Sequence, residues 1–144
     1  MVHYIGLGLM LLWTQLISPG NGALPQILQP EFKVGPLKAG QKSEVTVSFE
    51  LLKGYAINRT PPISLKLTPV PGVSLEKREV SSSPDDPKST DEYYVDLPKL
   101  KVPVHVEKAG KYEVTGKLVY FFCSKSDGFC SRQIIDVKIP ITAN

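Results

Sequence analysis

The sequence predicts an all-β protein with an immunoglobulin-like antiparallel β-sandwich. Short segments that alternate apolar and polar residues recur along the chain, and a period of two is typical of strands buried on one face. Glycines and prolines that form turns separate these segments. No window supports a helix of useful length, because the 13 prolines would interrupt one. About eight short strands joined by turns favour a sandwich of immunoglobulin type.

Length and composition indicate one ordinary domain. The chain has 144 residues, of which 42% are hydrophobic and 22% are charged. This is enough material for a single hydrophobic core. The net charge of +3 is small and dispersed, and the aromatic residues fall in strand-like segments, where they are expected to fill the core. Both features argue against nucleic-acid binding.

Residues 1–23 have the composition of a secretory signal peptide. The apolar run from Tyr4 to Ile17 is too short for a membrane-spanning helix of about 20 residues, and small, helix-breaking residues follow it. No lysine or arginine precedes this run, which leaves a misassigned start or a retained anchor as alternatives. A buried N-terminal strand or helix is a further alternative. Residues 24–144 are expected to form the exported domain, periplasmic or secreted, where oxidising conditions favour disulfides.

Strand patterns fill most of residues 24–144. Residues 24–40 are expected to be extended, with Phe32 and Val34 as their apolar pair, and a turn is expected at Lys53-Gly54. A further hairpin turn is expected at Ala109-Gly110-Lys111. His105 lies on the polar phase of its strand, which favours a solvent-facing residue over a catalytic base. The other expected strands are residues 43–51, 55–58, 63–68, 73–76, 93–95, 100–106, 112–120 and 135–141.

Residues 81–91 break this pattern. They run Ser-Ser-Ser-Pro-Asp-Asp-Pro-Lys-Ser-Thr-Asp and contain no apolar residue, so hydrophobic burial cannot anchor them in a core. We expect an exposed, mobile loop. A calcium site is disfavoured, because the acidic residues lack the glycine-turned spacing of a calcium-binding loop.

The segment from Val119 to Ile135 contains the only two cysteines. Cys123 and Cys130 stand at the two ends of a polar loop with Gly128 near its tip, and strand-like residues flank both. This pattern predicts a β-hairpin with a thiol at each inner end of its loop. Residues at a non-hydrogen-bonded position of such a hairpin lie within the span that a disulfide requires.

A structural disulfide, a redox-active pair and a metal site are all open for these cysteines. A crosslink that closes about eight residues contributes roughly 2.5 kcal/mol in the chain-entropy model, near the low end for disulfides. A purely structural bridge would gain more by joining distant segments. Zinc is the least favoured, because the two histidines, His3 and His105, are not beside the thiols and half of its four ligand positions would stay empty.

The hairpin resembles a known family in its sequence. The stretches GKLVYFFC at 116–123 and DGFC at 127–130 are similar to the cysteine hairpin of the N-terminal periplasmic domain of the bacterial thiol:disulfide interchange protein DsbD. Residues 52–58, 92–94 and 100–104 also match in order and spacing. The resemblance implies an immunoglobulin-like fold. It further implies a cysteine pair that relays electrons from a membrane-embedded reductant to periplasmic thioredoxin-like proteins.

The resemblance implies roles for individual residues. Cys130 would attack the disulfide of the partner and Cys123 would resolve the mixed disulfide. The sequence itself adds Arg132, two residues after Cys130, whose cation would favour the Cys130 thiolate. Tyr55 and Phe129 would flank the sulfurs as an apolar wall, although simple core packing is the alternative for Tyr55. The chain would be a thiol–disulfide oxidoreductase of the protein-disulfide reductase type. No cofactor is implied, since the electrons travel on sulfur.

The sequence also departs from the family pattern. The loop between the cysteines is slightly longer than in the best-known member, and Ser131-Arg132-Gln133 stands where that family has a proline pair. The aromatic cap loop of the family should fall within residues 81–89, none of which is aromatic. The chain carries no transmembrane or thioredoxin domain, so a separate membrane-embedded thiol reductant is expected. The rival hypothesis is a non-enzymatic, secreted immunoglobulin-like binding module with a structural hairpin disulfide.

Overall fold

The computed structural model describes residues 24–83 and 92–144. The expected signal peptide at residues 1–23 and most of the expected exposed loop, residues 84–91, lie outside the described residues. Within the described ranges, no helix is long and apolar enough to cross a membrane.

Nine strands in the described residues form two antiparallel sheets. They are β1 (Leu28–Val34), β2 (Lys42–Leu51), β3 (Tyr55–Ile57), β4 (Ser64–Thr68), β5 (Val73–Leu75), β6 (Glu79–Ser81), β7 (Leu100–Val106), β8 (Gly110–Ser124) and β9 (Cys130–Ala143). The first sheet has the order β1-β2-β7-β5. In the second sheet, β9 pairs with β8, and β3 and β4 pair with different parts of β8. Strand β6 borders β4.

The inner faces of both sheets share one hydrophobic core. Alternation along each strand produces it, because every second side chain of a strand points to the same face. The buried residues of β7 and β9 illustrate this period: Leu100, Val102, Val104 and Val106, and Val137, Ile139 and Ile141. The predicted all-β fold, an immunoglobulin-like antiparallel β-sandwich, is confirmed.

Two expected elements differ in the structure. Ala109-Gly110-Lys111 is not a hairpin turn, because β7 pairs with β2 and β5 in the first sheet, whereas β8 belongs to the second. The segment therefore crosses between the sheets. Residues 93–95 do not form a regular strand, and Tyr93 pairs with Asn58 in an isolated β-bridge. The pairing does not extend because the chain bends at Val95 and Asp96 before it reaches β7.

The start of the polar loop is anchored in the core through Ser82. Ser82 is only 4% exposed. Its Oγ accepts a hydrogen bond from the Ile63 N–H at 3.0 Å and lies 2.7 Å from the Tyr94 hydroxyl oxygen. The expectation of an exposed loop from residue 81 onward is therefore wrong at Ser82, because hydrogen bonds replace hydrophobic burial as the anchor.

Tyr120 ties the segment before β1 to the second sheet. Its ring is fully buried, and its hydroxyl accepts a hydrogen bond from the Leu28 N–H at 3.0 Å and donates to Gln133 Oε1. Burial raises the pKa of the Tyr120 phenol, so the hydroxyl stays protonated at neutral pH. Gln133 also accepts from the Ile27 N–H and donates to the Pro25 carbonyl, both at 3.0 Å. These hydrogen bonds hold residues 25–28 against the β8–β9 hairpin.

Gly116 marks the closest approach of β8 to β4. A Cβ at this position would lie 2.5 Å from the carbonyl oxygen of Lys66 and 3.1 Å from Cδ2 of Leu67. We expect Gly116→Ala to lower the free energy of unfolding by about 1–3 kcal/mol in urea denaturation, because the two strands must separate. Gly35→Ala is the control, since a Cβ there meets nothing within 4 Å. Equal losses in both variants would contradict the close approach.

Candidate functional site

The β8–β9 hairpin ends in the pair Cys123 and Cys130. Beyond this pair, the Ser124 N–H donates to the Phe129 carbonyl at 2.8 Å, and the Gly128 N–H donates to the Ser124 carbonyl at 3.0 Å. Because the Ser124–Phe129 pair is hydrogen-bonded, the neighbouring cysteines occupy a non-hydrogen-bonded position, where opposite side chains come closest. Gly128 has a φ of +70°, a left-handed conformation that suits the tight loop.

Cys123 and Cys130 form a disulfide whose Cα atoms are 4.0 Å apart. The β8–β9 pairing continues without a break from Gly110–Ala143 to this pair. The covalent bond therefore closes a loop that backbone hydrogen bonds already close. Opening it releases no distant part of the chain, so the two sulfurs can separate and rejoin within the hairpin.

The two cysteines differ in their exposure to solvent. Cys123 is 6% exposed, because β8 lies between β9 and β3 at this point and Cys123 is opposite Ala56 on the β3 side. Cys130 is exposed. Among the described strands, β9 pairs only with β8, so no neighbouring strand covers the far side of Cys130. Cys130 is therefore more accessible to a partner protein than Cys123.

Both cysteines belong to the outer face of the second sheet. Tyr120 and Phe122 point into the core, where both are fully buried, so the alternating positions Phe121 and Cys123 point away from it. Arg132 lies opposite Phe121 and shares the face of Cys130, two residues away. Its side chain is exposed. The register therefore places a cation on the same face as the exposed sulfur.

Tyr55 and Phe129 contact the Phe122 ring on the core side of the hairpin. Their ring centroids lie 5.8 Å and 6.1 Å from that of Phe122, in edge-to-face arrangements. Tyr55 is opposite Ser124, so strand alternation puts it on the face of Phe122 and not on the face of Cys123. These rings thus pack against Phe122 on the core side of the hairpin.

Sequence reasoning missed Asn58, whose side chain contacts the disulfide. Its Oδ1 lies 3.5 Å from the Sγ of Cys123. The contact follows from the register: the Asn58 N–H donates to the Phe121 carbonyl at 2.9 Å, which places Asn58 diagonally across from Cys123 on the same face. In the sequence, only the strand-like alternation of residues 55–58 pointed to Asn58. That alternation does not show which residues of β8 lie opposite, so the contact with Cys123 follows only once the β3–β8 register is known.

A short segment, residues 92–94, runs beside Asn58. The Arg59 N–H donates to the Glu92 carbonyl and the Tyr94 N–H donates to the Ile57 carbonyl, both at 3.0 Å. The cap position expected within residues 81–89 falls mainly outside the described residues. The segment that the structure does place next to Asn58 contains an aromatic residue, Tyr93, at a position that sequence reasoning had assigned to an ordinary strand.

The described residues place no cluster of metal ligands at the hairpin. Within residues 24–83 and 92–144, no group of three or more His, Cys, Asp or Glu side chains is placed to hold a metal ion. The half-buried His105 lines a groove of about 360 Å³ on the first sheet, together with Lys42 and Pro103.

Comparisons with known proteins give similarity to solved structures. No protein-family profile matches the chain, and no curated protein matches it. A solved structure of the N-terminal domain of DsbD from Neisseria meningitidis, in the reduced form, aligns with 88% of this chain and 95% of that chain. The alignment has 23% sequence identity and a TM-score of 0.42. A similarity at this level does not establish a family.

Proposed function

We propose that this chain is an exported thiol–disulfide exchange domain. It relays reducing equivalents from a separate membrane-embedded thiol reductant to periplasmic thioredoxin-like proteins through Cys123 and Cys130. The observation that carries the proposal is the asymmetry of the disulfide, which joins an exposed sulfur to a buried one within a hairpin that is already closed. The resemblance of residues 116–130 to the cysteine hairpin of DsbD supports the same chemistry.

The position of the disulfide favours exchange over a structural role. Closing a loop of about eight residues contributes at most roughly 2.5 kcal/mol, and the backbone hydrogen bonds next to Ser124 already impose much of this restriction. The β8–β9 pairing extends down to Gly110, so the hairpin does not depend on the bond. A bond that contributes little to the fold can cycle without unfolding the domain.

The exchange proceeds through a mixed disulfide. In the reduced domain, the Cys130 thiolate attacks one sulfur of the partner's disulfide, and the partner's other sulfur leaves as a thiolate that takes a proton from water. The Cys123 thiol then loses its proton to solvent and attacks the Cys130 sulfur, which releases the second partner thiolate. The partner gains two electrons, and the Cys123–Cys130 bond forms again. Exchange in the opposite direction with a dithiol reductant restores the reduced domain.

The residues around the cysteines support this step. The exposed Arg132 favours the thiolate form of Cys130 through its positive charge. Tyr55 and Phe129 hold Phe122 in place, which keeps the end of β8 rigid while the disulfide opens. The reaction needs no cofactor. The proposed exported domain comprises residues 24–144, after removal of the signal peptide at residues 1–23.

The reduction potential tests the proposal. We expect a value between about −120 and −270 mV, the range of thiol–disulfide oxidoreductases. The measurement is an equilibration of the domain in glutathione or thioredoxin redox buffers, followed by alkylation of free thiols and mass spectrometry. Cys123→Ser is the control, because it cannot form the internal bond. A potential below about −300 mV would mark an inert structural disulfide and favour the secreted binding module.

A further inference from the structure

We propose that Asn58 is a positioning residue that keeps Cys123 protonated in the reduced hairpin and so leaves Cys130 as the attacking thiolate. The inference rests on the proposed function and deepens it, because it explains which of the two sulfurs reacts first. It starts from one contact, the 3.5 Å between Asn58 Oδ1 and Cys123 Sγ.

This contact changes its character with the redox state. In the disulfide, the Cys123 sulfur carries no proton, so the carbonyl oxygen of the Asn58 amide only packs against it. Reduction of the bond gives Cys123 a thiol, and the same oxygen is then within reach to accept a hydrogen bond from the S–H group. An acceptor stabilises the neutral thiol and disfavours the negative thiolate. The pKa of Cys123 is therefore raised in the reduced protein.

The backbone holds Asn58 in position from both sides. Its N–H donates to the Phe121 carbonyl of β8 at 2.9 Å, and the residue bridges to Tyr93 on its other side. Asn58 is half-buried, which limits the rotamers available to its side chain. The acceptor consequently stays close to Cys123 when the disulfide opens, and it is in place before any partner binds.

The charged groups around the hairpin act differently on the two sulfurs. Arg132 on β9 shares the face of Cys130, and its cation favours a thiolate there. The charged residues next to Asn58 are Arg59, which follows it in sequence, and Glu92, whose carbonyl accepts a hydrogen bond from the Arg59 N–H at 3.0 Å. Asn58 itself is uncharged, so its effect on Cys123 does not change with pH. The acceptor of Asn58 beside Cys123 raises the pKa of that thiol, and the cation of Arg132 near Cys130 lowers the pKa of the other. The two pKa values therefore differ.

Single-cysteine variants test this role. In the Cys130→Ser background, the ultraviolet absorbance of the thiolate is measured against pH. The titration midpoint is the pH at which half of the Cys123 thiol is ionised. Asn58→Ala is expected to lower this midpoint by about one pH unit, which gives about tenfold more thiolate at neutral pH. The titration midpoint reports the pKa of the thiol, whereas the rate of alkylation also depends on steric access to the sulfur. Asn58→Asp is expected to raise the midpoint, because a carboxylate repels the thiolate.

The matched control uses the other cysteine. In the Cys123→Ser background, Asn58→Ala should leave the midpoint of Cys130 unchanged, whereas Arg132→Ala should raise it. An unchanged or raised Cys123 midpoint in Asn58→Ala overturns the inference, and Asn58→Ser gives the same test if the alanine variant fails to fold. These titrations need no partner. Failure of the proposed exchange would appear in the reduction potential, so the two failures are distinguishable.

Discussion

Cys123→Ser is expected to accumulate a mixed disulfide with a thioredoxin-like partner, whereas Cys130→Ser is expected to form almost none. Cys130 is exposed at the start of β9 and shares a face with Arg132, while Cys123 is only 6% exposed and lies against Asn58. Attack requires both access and a thiolate. Loss of Cys130 should therefore reduce the rate of attack by at least about a hundredfold, because the remaining Cys123 thiol is buried and is expected to stay protonated.

A single-cysteine partner gives the sharpest measurement of this difference. A thioredoxin-like protein that retains only its exposed cysteine is first converted to its mixed disulfide with thionitrobenzoate. The reduced domain variants then displace the coloured thiolate, which reports the rate of attack, and mass spectrometry identifies the protein–protein disulfide. The Cys123→Ser/Cys130→Ser double variant sets the background. Faster attack by the Cys123 thiol would reverse the assignment, and background rates for both single variants would favour a structural disulfide.

Alternation along the strands made much of the fold predictable from the sequence. The valines of β7 and the residues Val137, Ile139 and Ile141 of β9 occupy every second position, and the structure buries them as predicted. Pairing between strands was less predictable, because it depends on contacts that are distant in sequence. The Ala109-Gly110-Lys111 segment shows this limit: a short connection with a glycine suits a hairpin, but here it joins strands of different sheets.

The site shows the same distinction between local and distant information. The Cys123–Cys130 pairing follows from a local hairpin and was predictable from the spacing of the two residues. Asn58 was missed, because its contact with Cys123 spans 65 positions of sequence and depends on the β3–β8 register. Ser82 was missed for a related reason. Its burial depends on hydrogen bonds to Ile63 and Tyr94, and the polar composition around it gives no sign of them.

Phe122→Ala is expected to cause the largest loss of stability among the residues around the disulfide. Phe122 is fully buried and contacts the rings of Tyr55, Tyr120 and Phe129. Its truncation removes the ring against which these side chains pack and leaves a cavity directly beneath the hairpin. We expect the free energy of unfolding to fall by about 3–5 kcal/mol, a typical cost for Phe→Ala in a core. Urea denaturation of the oxidised protein measures this loss.

Phe121→Ala is the matched control, because it removes the same side chain from the adjacent position on the opposite face of β8. Phe121 is only half-buried, so its truncation leaves no enclosed cavity, and we expect a loss of about 1 kcal/mol. Equal losses for the two variants would contradict the assignment of Phe122 to the core face and of Cys123 to the outer face. A larger loss for Phe122→Ala would support the assignment of Phe122 to the core face, opposite the face of Cys123. The proposed exchange would then take place on the outer face while the packing beneath the disulfide stays intact.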